Sequence, residues 1–537
     1  MPTSPGEPDA AAVAERPRLA LGDELPLRVG FAGSQARELL RAPVHGRAIS
    51  AAGELAEARL DALVLDPDPP LDAGALAELT QAARDLDLHV VGFDPGGGAL
   101  PPWEGMVDVA IGSPGRGADR LAAAGPVDVR RFNPTAFQPT DAAGFACIAS
   151  PHAEGEALRV AVRFASAAAV DEPVTLIAPA RASLPPLPPN VGRAFAGQGA
   201  GAVRETLPCL GVLDHPGFHA SEWERAGLIA KLCASGMPVV CAEMSEELRA
   251  LLGSELAGLL ESLAARHLAD LDHRERISVA LRRAALREHS ADARWRQISK
   301  AAGIPLPDRP MVSVIFSTRR EDWLQQGLAQ VNRQTYEPRE LVVCLHGDEF
   351  GEGIEERVRS LATGDVRIVR VDGDLTLGDA LNAGVEVAQG ELITKMDDDD
   401  YYNTDHLWDL ALALEYSGAD LAGKGAEFVY LDKVDLTIRR FMGDGESDHP
   451  RLAGGGMMAR RAPLDAVGGW PSRTRGEDTW IVKNFKAAGR ATYRTHGFGY
   501  ILNRHFRDHT WNTYVDYFLL QSQREWRGLR FDESAID

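Results

Sequence analysis

The chain has 537 residues, of which 45% are hydrophobic and 25% charged, and it carries a formal net charge of -21. That length exceeds one ordinary core of roughly 100 to 200 residues, so two or three domains are predicted, and the composition is globular, which excludes a disordered chain. The acidic balance opposes an extended nucleic-acid surface but leaves room for a nucleotide diphosphate, because a divalent cation held by carboxylates inverts the local sign of charge.

Residues 1–24 are rich in Pro, Ala, Glu and Asp without sustained periodicity and are expected to be a disordered tail. They contain no basic segment leading into an apolar one, and no run of 18 apolar residues occurs anywhere. The expectation is a cytoplasmic chain without a membrane span, with peripheral contact at the inner face of a membrane left open. The five cysteines, Cys147, Cys209, Cys233, Cys241 and Cys344, form no CxxC pair and read as buried, reduced thiols.

From residue 25 short apolar runs alternate with Ala/Leu-rich stretches: LRVGFAG, LDALVLD, ALAELTQAARDLDLHVVGFD and MVDVAIG. This strand-helix rhythm predicts an open parallel sheet, a Rossmann-like lobe over residues 25–140. The rhythm resumes with FACIAS, EGEALRVAVRFASAAA, VTLIAPA, LPCLGVLD and MPVVCAE, which predicts a second lobe over 141–302 whose closing part, from Ser245 to Ile298, is helical. The Pro-rich stretch GIPLPDRP, residues 303–310, is expected to be a linker.

Beyond it the strands MVSVIFS, ELVVCLHGD, VRIVRVDG and ELITKM alternate with the helical patterns EDWLQQGLAQVNRQ and GDALNAGVEVAQG, so an α/β domain is predicted over residues 311–510. Residues 511–537 are expected to be a helical extension. The last strand delivers Asp397, Asp398, Asp399 and Asp400 to its C-terminal end, where open α/β sheets place their ligand sites. Four adjacent carboxylates repel one another, and a hard cation such as Mn2+ or Mg2+ would relieve that; the competing reading is a solvated acidic turn capping the next helix. A second acid pair, Glu477-Asp478, opens another helical run, where capping alone would also account for a carboxylate. Between the two lies AGGGMMARR, residues 453–461, whose glycines admit close approach of a substrate to backbone.

The ordered series PMVSVI, QTY, ELVV, LGDALNAG and MDDDD resembles the family 2 glycosyltransferases over about 200 residues, and the resemblance implies a GT-A nucleotide-sugar-binding domain. It implies that Asp397 and Asp399 form the Asp-x-Asp motif that binds a divalent metal and the donor diphosphate, with Asp398 beside them. It further implies Asp478 as general base toward the acceptor hydroxyl, Glu477 as the residue orienting the acceptor, and Gly455 and Gly456 beside the donor sugar. His509 would complete the metal site, with His505 as the alternative. The implied activity is inverting transfer of a sugar from a nucleotide-diphosphate donor to a hydroxyl of a glycan, cell-surface polymer or other glycoconjugate. Two departures bear on the nucleotide: LHGD, residues 345–348, stands where relatives carry Asp-Asp-Gly-Ser, and Leu381 where they carry Arg. Thr318, Arg319 and Asp348 are the replacements available for reading the base.

In the N-terminal half RRFNPTAFQP, LCASGMPVV and HSADARWRQI loosely resemble the two-lobed GT-B glycosyltransferases of the spore-protein-like branch. Lys231 stands where that pattern carries a donor-binding Glu, which points to a scaffold or acceptor-binding half, with an active second transferase as the rival. Two other classes remain open for the whole chain: a nucleotidyltransferase, although FSTRRED lacks the Gly-rich phosphate loop, and a non-catalytic carbohydrate-binding or assembly protein, in which the carboxylates would point apart or be occupied by internal salt bridges.

Overall fold

The computed structural model describes residues 25–40, 44–95, 101–113, 120–135, 142–169, 172–179, 184–195, 200–206, 208–473, 476–505 and 514–534. Four sheets are present among them. The first has six parallel strands in the order Val44–Ala48, Leu25–Ala32, Ala62–Leu65, His89–Asp94, Val109–Gly112 and Arg120–Ala122. The second has five parallel strands, Val239–Cys241, Gly211–Asp214, Phe145–Ile148, Val174–Ala178 and Val191–Phe195. Strands such as Ala62–Leu65 and Phe145–Ile148 are buried at every position, as parallel strands covered on both faces must be, which is why they read as unbroken apolar runs.

The helices after residue 245 connect more than the second lobe. The helix Ala291–Ala302 sends Trp295, fully buried, back onto the first sheet, where its indole N–H donates to the Leu40 carbonyl at 2.6 Å. The preceding helix, Leu271–His289, turns a different face to the C-terminal half. Arg283 Nε donates to Asp409 at 2.8 Å, Arg282 pairs with Glu446 at 2.6 Å, and Arg439 returns from the other side to Asp272 and Glu275 at 2.6 Å each.

In the C-terminal half Val366–Val371, Arg339–His346, Val312–Thr318 and Leu392–Lys395 run parallel, after which Met457–Arg460 pairs antiparallel with Leu392–Lys395. Leu421–Gly423 and Thr492–Arg494 complete this seven-stranded sheet. The helix Leu377–Val387 packs against it and opens on a reciprocal capping box between Thr376 and Asp379. A smaller sheet orders Tyr401–Tyr402, Tyr500–Arg504, Phe428–Leu431, Leu436–Arg440 and Ser522–Arg527. The C-terminal extension, read as helical from sequence, is therefore mixed. Two short helices, Val515–Leu519 and Phe531–Ser534, flank the strand Ser522–Arg527, which gains backbone partners from Leu436–Arg440. Pairing with an available edge overrides the weak helical preference of SQREWR. Among the described residues no helix is long and apolar enough to cross a membrane.

Candidate active site

The strand Leu392–Lys395 lies centrally in the seven-stranded sheet, so the four acids that follow it emerge at the sheet's C-terminal edge. The chain then leaves this sheet for the smaller one, where Tyr401–Tyr402 pairs antiparallel with Tyr500–Arg504. Along this passage between the sheets each carboxylate meets a different environment. Asp398 and Asp400 turn into the protein. The Thr318 hydroxyl donates to Asp398 at 2.5 Å and Arg320 forks onto both of its oxygens. Asp400 accepts from the Tyr500 hydroxyl at 2.7 Å and the Asn503 amide at 2.9 Å. Burial pushes both carboxyls up, Asp400 the more strongly because the Asp399 and Asp397 charges add to the burial, whereas Arg320 pulls against it at Asp398.

Asp397 and Asp399 keep more of their side-chain surface, 35% and 11% exposed against 5% for Asp398. Asp397 sits 3.1 Å from the ammonium of Lys395, and its backbone amide donates to the Tyr402 hydroxyl at 2.8 Å. Asp399 meets His505 Nε2 at 2.7 Å and Arg320 at 2.9 Å. His509 lies outside the described residues; of the two candidate histidines, His505 is the one placed on the acid cluster.

The second acid pair reaches the same place from the helix Glu477–Ala487. Its N-cap residue is Gly476, which offers no side chain to the helix, and Asp478 accepts the Thr479 amide at 2.7 Å within the first turn. Glu477 approaches Lys395 at 3.9 Å; burial raises its carboxyl and the lysine opposes that rise. Lys395 is itself buried, a condition that alone would lower its pKa, yet the surrounding Asp397, Glu477 and Asp478 charges raise it. The ammonium is thus held charged by three carboxylates from two segments.

The triple-glycine turn Gly454–Gly456 fits between these segments because it has no side chains. A Cβ on Gly455 would stand 2.6 Å from the Tyr402 hydroxyl, 2.8 Å from Asp400 and 3.0 Å from Asp397; one on Gly454 would stand 3.2 Å from Lys395 Nζ and 3.3 Å from Asp478. The turn therefore measures the convergence. Asp397, Lys395 and Asp478 all border one small backbone element. Gly456 lies on its far side, toward Lys424 and Tyr500.

The residues expected to read the base divide. Thr318 is buried and occupied with Asp398 and with the Arg320 amide, at 3.0 Å. Arg319 ties the ends of neighbouring strands to the next loop, reaching His346 Nε2 and the Gly373 carbonyl at 2.7 Å each. Asp348 is exposed beside Gly373, after a Gly347 whose φ of +119° belongs to the region that favours glycine. Arg319 and Asp348 thus flank one loop, while Thr318 serves the acid cluster.

Residues 313–456 match the glycosyl transferase family 2 sequence model. This stretch of the C-terminal half is similar to the family 2 glycosyltransferases. The matched stretch includes Thr318, all four acids and the triple-glycine turn, and it ends before Glu477, Asp478 and His505. No curated protein matches the chain. Among solved structures, the mannosyltransferase PcManGT from Pyrobaculum calidifontis, in complex with GDP-Man and Mn2+, is 18% identical with a TM-score of 0.30, over 37% of this chain and 58% of that one. S. aureus TarS is 17% identical with a TM-score of 0.28, over 37% of each chain. TarS 1-349 in complex with UDP-GlcNAc is 16% identical with a TM-score of 0.29, over 40% of this chain and 64% of that one. The chain thus spans less than two thirds of the length of these structures.

Three residues of the candidate site carry no reading in the sequence analysis: Lys395, Arg320 and Tyr402. For Lys395 a signal existed, since it precedes Asp397 by two residues at a strand end and such positions share a face. Arg320 and Tyr402 carry no comparable signal, because their contacts depend on how the strand ends and the smaller sheet come together. Among the described residues no three His, Cys, Asp or Glu side chains gather as a ready-made metal cluster. Asp399 and His505 form a pair, and that suits a cation which takes one or two protein ligands and completes its shell with phosphate oxygens and water.

Proposed function

We propose that this glycosyltransferase is inverting and metal-dependent, moving a sugar from a nucleotide-diphosphate donor to a hydroxyl of a glycan, cell-surface polymer or other glycoconjugate. The observation that carries this reading is the convergence of Asp397, Lys395 and Asp478 on the Gly454–Gly456 turn. A sugar hydroxyl is a weak nucleophile at neutral pH, and a positioned carboxylate that accepts its proton contributes about 100- to 10,000-fold. Asp478 fills that role, with Glu477 beside it to orient the acceptor. Asp399 and His505 would hold Mn2+ or Mg2+ with Asp397 toward the diphosphate, and the ion supplies Lewis-acid stabilisation of the departing nucleotide. Lys395 sets a positive charge between Asp397 and Glu477. Attack opposite the leaving group inverts the anomeric centre.

The N-terminal half serves as scaffold or acceptor-binding region in this reading. Asp66 supports that: it accepts the Gln35 and Ala36 amides at 2.8 and 2.7 Å, so a carboxylate of the protein already fills the place where a Rossmann-like lobe offers its first helix to a phosphate. One observation favours a rival, non-catalytic reading, namely the ion pairs of Arg320 with Asp398 and Asp399. Thermal melts with a panel of nucleotide sugars, each with and without Mn2+, separate the two. Mn2+-dependent stabilisation by at least one donor, lost in Asp399→Asn, is the expected result, since binding to the native state raises the melting point by mass action. Equal stabilisation in EDTA, or none with any donor, would reject the metal-dependent enzyme.

A further inference from the structure

Arg320 is the second residue after the strand Val312–Thr318, with its side chain 28% exposed. Its guanidinium forks onto Asp398 and stands 2.9 Å from Asp399 Oδ2 and 3.0 Å from His505 Nε2. It also lies over Trp323, 5.2 Å from the ring centroid, and Trp323 stacks on the His505 imidazole at 5.0 Å and 25°. One monovalent cation of the protein thus covers the pair to which the proposed function assigns a divalent one.

A divalent ion held against Asp399 and His505 would be repelled by the guanidinium that stands on both. For a metal to bind Asp399 and His505, the guanidinium must withdraw, and withdrawal leaves the buried Asp398 with Thr318 and without its compensating charge. A metal ion arriving alone has nothing to offer the displaced arginine. A diphosphate does, because guanidinium and phosphate oxygens pair bidentately in short, charge-assisted hydrogen bonds. We infer that Arg320 makes cation binding conditional on the diphosphate: it occupies the cation's position in the unloaded protein and moves onto the diphosphate when metal and donor arrive together. This inference rests on the metal site of the proposed function. It makes Arg320 a positioning residue and gives the metal and diphosphate a coupling free energy that is reciprocal between them.

The test uses the full-length chain and two probes, Mn2+ alone, followed by its electron paramagnetic resonance signal, and the preformed Mn2+-pyrophosphate complex, followed by calorimetry. Arg320→Gln is expected to bind Mn2+ alone about 10-fold more tightly than wild type and the pyrophosphate complex about 10-fold more weakly, within the usual span of coupling between sites. A merely structural role would not tighten one ligand while loosening the other. Arg320→Lys keeps the charge but cannot fork, so intermediate values are expected, and it answers the question if the glutamine variant does not fold. Asp399→Asn serves as the control that must lose both probes. If it does, while both Arg320 variants bind Mn2+ no more tightly than wild type, the gating role is overturned and the metal site stands. If Asp399→Asn binds Mn2+ as wild type does, the metal reading itself falls.

Discussion

Asp478 and Lys395 border the same glycine from different elements, and their roles separate in the measurements they move. Asp478 is not the N-cap residue of its helix, yet it accepts an amide of the first turn, a contact that asparagine can keep. Asp478→Asn is therefore expected to change stability little and to lower turnover about 100-fold or more, with the donor dissociation constant nearly unchanged, because the proton acceptor acts in the transition state. Turnover and donor affinity measured side by side decide the point; near-wild-type turnover would pass the role of base to Glu477. Lys395→Met removes the cation shared by Asp397, Glu477 and Asp478 and leaves the partly buried Glu477 carboxylate without compensation. A loss of about 3 to 5 kcal/mol in stability is expected in denaturant unfolding, and a change below 1 kcal/mol would show that the three acids do not depend on it. At this scale the sequence disclosed the acids and hid their counter-ions. An acid run at the end of an apolar strand carries its meaning in local order, whereas Arg320 reaches Asp398 from 78 positions away and Lys395 reads as an ordinary polar strand end.

Among the elements, the helix Leu271–His289 shows best what periodicity conveys and what it omits. Its helical spacing is plain in the sequence, but the burial of Arg282 and Arg283 is not, since arginines on a helix usually mark the solvated face. The strand Ser522–Arg527 fails in the opposite direction, reading as helix until an edge of the smaller sheet pairs with it. At the helix's C-terminal end His289 is fully buried. One ring nitrogen meets the Leu252 carbonyl at 2.8 Å and the other the Arg294 guanidinium at 3.3 Å, which fits a neutral ring with its proton on Nε2. Burial, reinforced by the Arg294 charge, presses its pKa down to about 3 from 6.5. A pKa lowered on folding contributes stability that is fully present above 6.5 and lost as pH falls from there toward 3. Between pH 7.5 and pH 5 this amounts to about 2 kcal/mol. His289→Gln, which cannot titrate and can still donate and accept, should lose correspondingly less over that range, as read from urea midpoints at the two pH values. His496, held down to about 4 by its own burial, contributes with the same sign in both proteins and cancels in the comparison. Equal losses in wild type and variant would show that His289 is not held neutral.

For the whole molecule, the Pro-rich stretch at 303–310 marks a boundary in the sequence, and the packing runs across it. The helix Leu271–His289 belongs in sequence to the N-terminal half, but Arg283 supplies the charge that faces Asp405 and Asp409, at 2.8 Å each. Arg282 does the same for Glu446, a partly buried carboxyl that is held below its usual range because this arginine and its other partners outweigh the cost of desolvation. Val279 and Ala280 of the same helix complete an apolar cluster with Phe428, Phe498 and Ile501. A fragment of residues 304–537 would lose all of these at once and would also strip Arg439 of Asp272 and Glu275. Removing one partner of a buried ion pair costs about 3 to 5 kcal/mol, and whole domains are stable by only about 5 to 15. The fragment is accordingly expected to melt about 10 °C or more below the full chain, if it folds at all, and to show little turnover. In the full chain, Arg283→Leu should reproduce part of that loss, whereas Lys231→Ala should leave turnover within about twofold. Lys231 lines a cleft of 260 Å³ with Gln35, Glu38, Phe93 and Trp223, all residues of the N-terminal half, and its ammonium rests over the Phe132 ring. A fragment that melts cooperatively near the full chain's temperature and turns over at a comparable rate would show that the buried arginines stabilise only the contact between the halves, and that the catalytic domain folds without them.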